Sequence, residues 1–508
     1  MVSVLLILVL LLSIFYTAKL VKEQEKQEIF DYTRTLHIWY ADEALTDYLS
    51  SVAVKYNEEY GVRVIPVLQT GLEFFEKINE ASLTAEATPD LFIASNENME
   101  KAYLAGLATE ITNPDNIVSL DVLPESAIHA VTYQGRLLGY PFYYETSALL
   151  YNSNYFENLA KEQIREELET ALEAAASEEA SDEEAGKEAS DEENEDTTSE
   201  ASEDSSKEEE GTALDESVIS EEMLEAEAKA RVPDMIPRTF DELQEFADNY
   251  EAPESVEAVF RWDVSDIFFN YFFIGNYIDV GGVHGDNTDS INIYNMDAIL
   301  ALKAYQDLGQ YFAIEADEVN YETVIQDFMA GKVVMATATT DIVKRLEEAR
   351  KAGEFSFEYG IAPIPDLSDQ MHTRNLSVTS TIYVNGYSQM KEEANDFAAY
   401  LLRDRPWELY DMSGKVTVNK HVVHEDYNVS AFMLEYEDSV PMPKMLTTSN
   451  LWVDMEIVFG RIWEGAEVSR ELMLMSERLM SKVTGEPYTE TYIDMPEESE
   501  EYYEYVDE

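Results

Sequence analysis

From Leu36 onward the apolar and polar positions alternate between two rhythms. Leu36 to Trp39 is an apolar run, Ala44 to Tyr60 carries apolar residues at helical spacing, and Val62 to Val67 is β-branched. A second helical stretch from Gly71 leads into the apolar Pro-Asp-Leu-Phe-Ile-Ala-Ser at 89–95. The order β-α-β-α-β predicts a parallel sheet with helices on its faces. Farther on, Ala301, Tyr305, Leu308 and Phe312 share one helix face, and Val333 to Thr337 reads as a strand after the turn residues Gly331-Lys332. Near the C-terminus Val468, Leu472, Met475, Leu479 and Val483 step by four, three, four and four, which predicts a helix with one core-packing stripe. Two α/β domains are the natural count.

Two segments break this pattern. From Val2 to Ala18 only Ser3, Ser13 and Thr17 are polar, and about 25 Å of helix from these residues is close to a membrane thickness. The tripeptide Tyr16-Thr17-Ala18 puts a bulky ring where signal cleavage needs a small residue, so residues 1–20 are expected as a retained anchor rather than a cleaved signal peptide. Lys19, Lys22 and Lys26 follow the segment and no basic residue precedes it, a polarity opposite to that of an exported C-terminal part. The second segment, 157–232, holds 29 acidic residues, six basic ones and no aromatic. It cannot bury enough apolar surface to offset the entropy of ordering, and is expected as a disordered acidic insertion flanked by helical stubs. The acidic tail 496–508 is expected to be mobile.

Charge and composition narrow the function. The 508 residues include 104 Asp and Glu against 34 Lys and Arg, a formal charge of −70 that opposes any contact with nucleic-acid phosphates. Cysteine is absent, which removes disulfides, thiolate metal sites and thiol nucleophiles. The six histidines, at 37, 129, 284, 372, 421 and 424, fall in no metal-ligating spacing, and the EF-hand, phosphate-loop and nucleophile-elbow motifs are missing. No metal site and no cofactor are expected. Paired carboxylates for glycoside hydrolysis remain an alternative that spacing in sequence does not exclude.

Binding chemistry has better support. Sugars are held by aromatic rings against their apolar faces and by carboxylates and amides that take bonds from hydroxyls. Tyr140, Phe142, Tyr143, Tyr144 and Glu145 gather both kinds of group on one strand-like segment, Gly-Tyr-Pro-Phe-Tyr-Tyr-Glu-Thr-Ser-Ala-Leu-Leu-Tyr-Asn, where one domain ends.

At these residues the sequence resembles the extracellular solute-binding proteins of ABC importers, in family 1, which contains the maltose- and oligosaccharide-binding proteins. PDLFIASNENMEKAYLAGLATEI, GRLLGYPFYYETSALLYNSNYF, PRTFDELQEFADNY, FMAGKVVMATATTDIVKRL, FEYGIAPIP and LWVDMEIVFGRIWEGAEVSRELM follow the order of that family's motifs between Leu36 and Val483. The resemblance implies an α/β, periplasmic-binding-protein-like fold: two α/β lobes joined by a multi-segment hinge, closing on a ligand by rigid-body rotation. It places the N-terminal lobe at 34–147 plus about 366–430, and the C-terminal lobe at 148–365 plus about 435–490. Asn152 and Pro237, neighbours in the family pattern, are separated here by the acidic insertion.

By the same resemblance Glu145 and Trp452 fall on ligand-binding positions, and Asn96, Glu97, Tyr144, Thr340, Asp341, Phe269, Asn270 and Tyr271 are further candidates. Ala94 and Asn98 stand where the family's maltose binder has a Trp and an Arg, and a further stacking Trp is missing near Thr340. The implied function is binding, without catalysis, of a carbohydrate, an oligosaccharide, and its delivery to ABC permease subunits by a monomer at the extracellular face of the membrane, or secreted. The alternative is a membrane-anchored sensory or surface glycan-binding module with the same fold.

Overall fold

The computed structural model describes residues 34–71, 73–84, 88–188, 220–312, 314–316 and 318–495. The expected anchor at 1–20, the middle of the acidic insertion and the tail at 496–508 lie outside them. Among the described residues no helix is long and apolar enough to cross a membrane.

The strands are β1 (Thr35–Tyr40), β2 (Arg63–Leu68), β3 (Leu91–Ser95), β4 (Tyr140–Glu145), β5 (Ser147–Asn152), β6 (Ala258–Arg261), β7 (Val333–Thr339), β8 (Tyr359–Ala362), β9 (Leu376–Val384), β10 (Val416–Thr417) and β11 (Val440–Pro441), with a small hairpin of Thr132–Tyr133 and Arg136–Leu137. One sheet runs β10-β4-β9-β3-β1-β2, with β11 pairing β9. The expected β-α-β-α-β region forms its parallel part, β1 pairing with both β2 and β3. Helix Thr46–Tyr60 packs Tyr48, Leu49, Val52 and Tyr56 inward and stops at Gly61, whose left-handed φ of 68° lets its N–H cap the Asn57 carbonyl. Leu36 and Ile38 of β1 and Leu91 and Phe92 of β3 have no exposed surface, so truncating such a residue to Ala costs about 2–5 kcal/mol. The second sheet runs β8-β5-β7-β6, with β6 parallel to β7. In the C-terminal helix Val468–Thr484 the predicted stripe is buried from Val468 through Leu479.

The aromatic segment at 140–152 is two strands, because the chain changes sheets at Thr146. β4 pairs antiparallel with β9 in the first sheet, and β5 belongs to the second. Buried hydrogen bonds hold this crossing to the segment entering β9: Thr146 donates to the Leu376 carbonyl at 3.0 Å, and Ser147 to Asn375 Oδ1 at 2.8 Å. Asn375 Nδ2 donates back to the Ser147 carbonyl at 3.1 Å.

The described residues fall into two compact units. The larger is built from those within 34–150, 238–355 and 361–495, and the smaller from 151–188, 220–237 and 356–360. The smaller unit contains helices Ser153–Glu188 and Glu221–Met235, which carry the two ends of the acidic insertion. They pack through Ala160, Ile164, Leu224 and Ala228, with Leu168 and Met235 beside them. Ser220 caps the second helix by accepting from the Met223 N–H. Arg231 pairs with Glu167 at 2.9 Å and Glu227 at 3.2 Å, an exposed contact that salt screens.

Candidate functional site

Ligand sites of open α/β sheets collect at the carboxyl ends of the strands. At the end of β1, Asp42 caps the 3-10 turn Glu43–Leu45, its Oδ1 accepting from Ala44 N at 3.0 Å. This leaves Oδ2 for other partners. Helix Pro406–Ser413 ends at Gly414, whose φ of 75° turns the chain into β10. Val416 and Thr417 of β10 pair with Tyr144 and Tyr143, so the antiparallel register carries Lys415 opposite Glu145 at the end of β4. Lys415 Nζ is 2.9 Å from Glu145 Oε1 and 2.9 Å from Asp42 Oδ2, and lies 5.3 Å from the centre of the Tyr143 ring. Burial by itself pushes the ammonium's pKa down; Glu145, Tyr143 and Asp42 outweigh it and hold Lys415 above the ordinary lysine value.

This three-residue clamp stands at the edge of a cleft of about 670 Å³. Glu43 and Asp47 line it from the β1 side, Thr340, Asp341 and Lys344 from the segment after β7, and Lys415 from the clamp. Asp341 precedes helix Ile342–Ala352 and accepts hydrogen bonds from Thr339 and, at 3.3 Å, from the Tyr321 hydroxyl. Tyr321 in turn stacks on Phe269, with ring centres 4.9 Å apart. A further aromatic pair is Trp452 on Tyr271, at 5.9 Å and edge-on. One turn beyond Trp452, burial together with the charges of Asp266 and Asp263 raises the Glu456 carboxyl's pKa.

The candidate residues therefore separate by what engages them. Thr340 and Asp341 line the cleft, Glu145 reaches its edge through Lys415, and Phe269 backs it through Tyr321. Trp452 is half-buried and Tyr271 buried beside it. Glu97 is exposed and accepts from Ser95 Oγ at 3.0 Å. Tyr144 is fully buried and stacks on Tyr436 at 3.9 Å, leaving neither ring face open. Asn96 donates to the Met442 carbonyl at 2.9 Å and accepts from Thr379 N at 3.1 Å. Asn270 accepts from Trp262 Nε1 at 2.9 Å and donates to the Asp263 and Asp266 carbonyls. Both amides are occupied within the fold.

Sequence reasoning missed Asp42, Glu43, Asp47, Lys344 and Lys415. The three acidic residues carry a usable signal, since they follow the first strand of a parallel sheet. Lys415 carries none, because only strand register brings it to Glu145. Among the described residues no group of three or more His, Cys, Asp or Glu is arranged to hold a metal ion.

Comparison with known proteins adds a family to this geometry. Residues 213–406 match the family described as bacterial extracellular solute-binding protein. The matching family is that of the extracellular solute-binding proteins. It is a family of binding proteins rather than enzymes, and the resemblance read from the sequence agrees with it. The matched stretch contains the PRTFDELQEFADNY, FMAGKVVMATATTDIVKRL and FEYGIAPIP motifs.

Solved structures extend the likeness as fold. An extracellular solute-binding protein from Staphylococcus aureus in complex with maltose is 16% identical with a TM-score of 0.66, over 89% of this chain and 98% of that one. A cyclo/maltodextrin-binding protein complexed with maltotetraose is 16% identical, TM-score 0.63, over 89% and 97%. The maltose-binding periplasmic protein of Listeria monocytogenes in complex with maltose is 17% identical, TM-score 0.61, over 90% and 99%. The fold is thus α/β and periplasmic-binding-protein-like. No curated protein matches the chain.

Proposed function

We propose that this chain is the extracellular substrate-binding protein of an ABC importer, taking a carbohydrate, an oligosaccharide, between two lobes and delivering it to membrane permease subunits. The lobe boundaries that the resemblance implies lie near 34–147 plus 366–430 and 148–365 plus 435–490, and they put the first sheet in one lobe, apart from β11, and the second sheet in the other. The observation that carries this reading is the cleft of about 670 Å³ at the strand ends, with the Asp42–Lys415–Glu145 clamp at its edge and Asp341 and Thr340 in its lining. Carboxylates held in place accept hydrogen bonds from hydroxyl groups, and the family resemblance offers Trp452, half-buried beside Tyr271 and outside the lining of this cleft, as a ring for the apolar face of a sugar. The maltose and maltodextrin complexes of proteins with this fold support the same class of ligand. Residues 1–20 would tether the protein at the outer face of the membrane.

Thermal unfolding of the full chain against mono- and oligosaccharides, with amino acids and peptides as controls, tests this function. A ligand at a hundred times its dissociation constant adds about 2.7 kcal/mol to the folded state, a shift of several degrees. The reading expects one saccharide series to raise the midpoint and Trp452→Ala to diminish that rise. A rise with amino acids or peptides alone would refute the substrate class.

A further inference from the structure

The clamp has a property that neither family nor fold assigns. Asp42 comes from the loop after β1, Glu145 from the end of β4 and Lys415 from the glycine turn before β10, so three distant parts of the chain meet at one ammonium. The two carboxylate oxygens can be no farther apart than the two 2.9 Å legs that join them to Nζ. A calcium ion binds carboxylate oxygens at about 2.3–2.6 Å, and an alkylammonium at close to the lysine distance. Without the lysine, this pair of oxygens could therefore be bridged by a cation from solution. The surroundings would encourage it: apart from Lys415, the carboxylates Glu43, Asp47, Asp341 and Glu348 outnumber the cations Lys344 and Arg345 in the lining of the same cleft, in a chain of charge −70.

We propose that Lys415 is a built-in counter-ion that keeps cations out of the cleft and presets Asp42 and Glu145 as hydrogen-bond acceptors for the hydroxyls of an uncharged polyhydroxylated ligand. This rests on the reading of the cleft as a ligand site. Lys415 suits the role by geometry. Its side chain is 19% exposed, it lines the cleft, and its ammonium donates to Glu145 Oε1 while standing 2.9 Å from Asp42 Oδ2 as an ion pair. A ligand amine entering here would have to displace an ammonium already paired on both sides, whereas a neutral hydroxyl needs only a free lone pair on either carboxylate. Lys415 is accordingly a positioning residue that selects against ligand charge.

The test is a calcium titration of the full chain followed by thermal unfolding, comparing the wild type with Lys415→Met, Lys415→Arg and the double variant Lys415→Met/Glu145→Gln. The acidic surface gives all four a common background response. Lys415→Met should add a saturable response with an apparent affinity at least about tenfold above that background, corresponding to about 1.4 kcal/mol. Arg should leave the wild-type response, and the added Gln should abolish the gain. Equal responses in wild type and Lys415→Met, or a gain that survives Glu145→Gln, would overturn the proposal. If Lys415→Met does not fold, Lys415→Met/Asp42→Asn is compared with the same protein carrying Glu145→Gln; a calcium response confined to the first supports the proposal and equal responses refute it. The saccharide panel on the wild type reads the ligand site separately. Silence there, with calcium binding gained in Lys415→Met, would remove the ligand reading while leaving the counter-ion in place.

Discussion

Lys415 and Lys444 are both withdrawn from solvent, and they differ in what receives the ammonium. Lys415 meets two carboxylates and is held above the ordinary lysine pKa, although burial alone would push it down. Lys444 is 1% exposed, and its Nζ donates to two backbone carbonyls, that of His129 at 2.7 Å and that of His284. Burial pushes its pKa down to about 7, with Asp286 a partial offset. The His129 and His284 rings meet edge-on at 4.8 Å, and burial lowers both of their pKa values. A carbonyl supplies a dipole and a carboxylate a full charge, and only the charge compensates for lost hydration.

This contrast is sharpest under pH. A lysine with a depressed native pKa adds stability at high pH, and that stability is lost as pH falls from about 10 through about 7, where the buried amine must charge. Replacing Lys444 by Met should therefore help progressively over that window, by roughly 2–4 kcal/mol relative to the wild type, with no further change below it. Urea midpoints at pH 6, 8 and 10 would measure the gap, and a gap independent of pH would break the comparison.

Lys415→Met should behave in the opposite way. It leaves two like charges facing each other and costs about 2 kcal/mol in urea unfolding near neutral pH, a figure reduced because Glu145 is 44% exposed. Adding Glu145→Gln should recover part of that loss.

Glu435 is the acidic mirror of Lys444. Burial pushes its carboxyl up to about 7, against the hydrogen bonds from Ile364 N and Asn375 Nδ2. Its stabilising contribution is present at low pH and lost as pH rises from about 4.5 to about 7, because the native state then has to ionise a buried acid. Glu435→Gln should gain on the wild type across that window by about 1–2 kcal/mol, read from unfolding midpoints at pH 4.5 and 8. The smallest effect belongs to Tyr143→Phe. It removes a 3.3 Å bond to Asp42 and keeps the ring beside Lys415, so its cost should be about 0.5 kcal/mol in the same assay.

What could be read in the sequence follows the range of the interactions. The β-α-β-α-β region was legible because its periodicity is local: β1, β2 and β3 come with their helices in chain order. The C-terminal stripe from Val468 to Leu479 was legible for the same reason. The aromatic run at 140–152 showed its strand character but hid its change of sheet at Thr146, which is set by pairing with β9 more than 200 residues away. The candidate site divided likewise. Asp341 and Thr340 could be found by motif order, whereas Lys415 comes to Glu145 through register alone. Tyr144, Asn96 and Asn270 carry the chemistry of ligand groups, and only their partners Tyr436, Thr379 and Trp262 reveal that the fold already occupies them.

The central claim is that the cleft beside Lys415 takes an uncharged saccharide. Isothermal titration of the full chain with a series from maltose to maltoheptaose and with other neutral oligosaccharides tests it most directly. The account predicts saturable one-site heat with at least one series, and an affinity lowered at least about tenfold in Asp341→Asn/Trp452→Ala. Heat from no saccharide, together with saturable binding of an amino acid, peptide or polyamine, would contradict it.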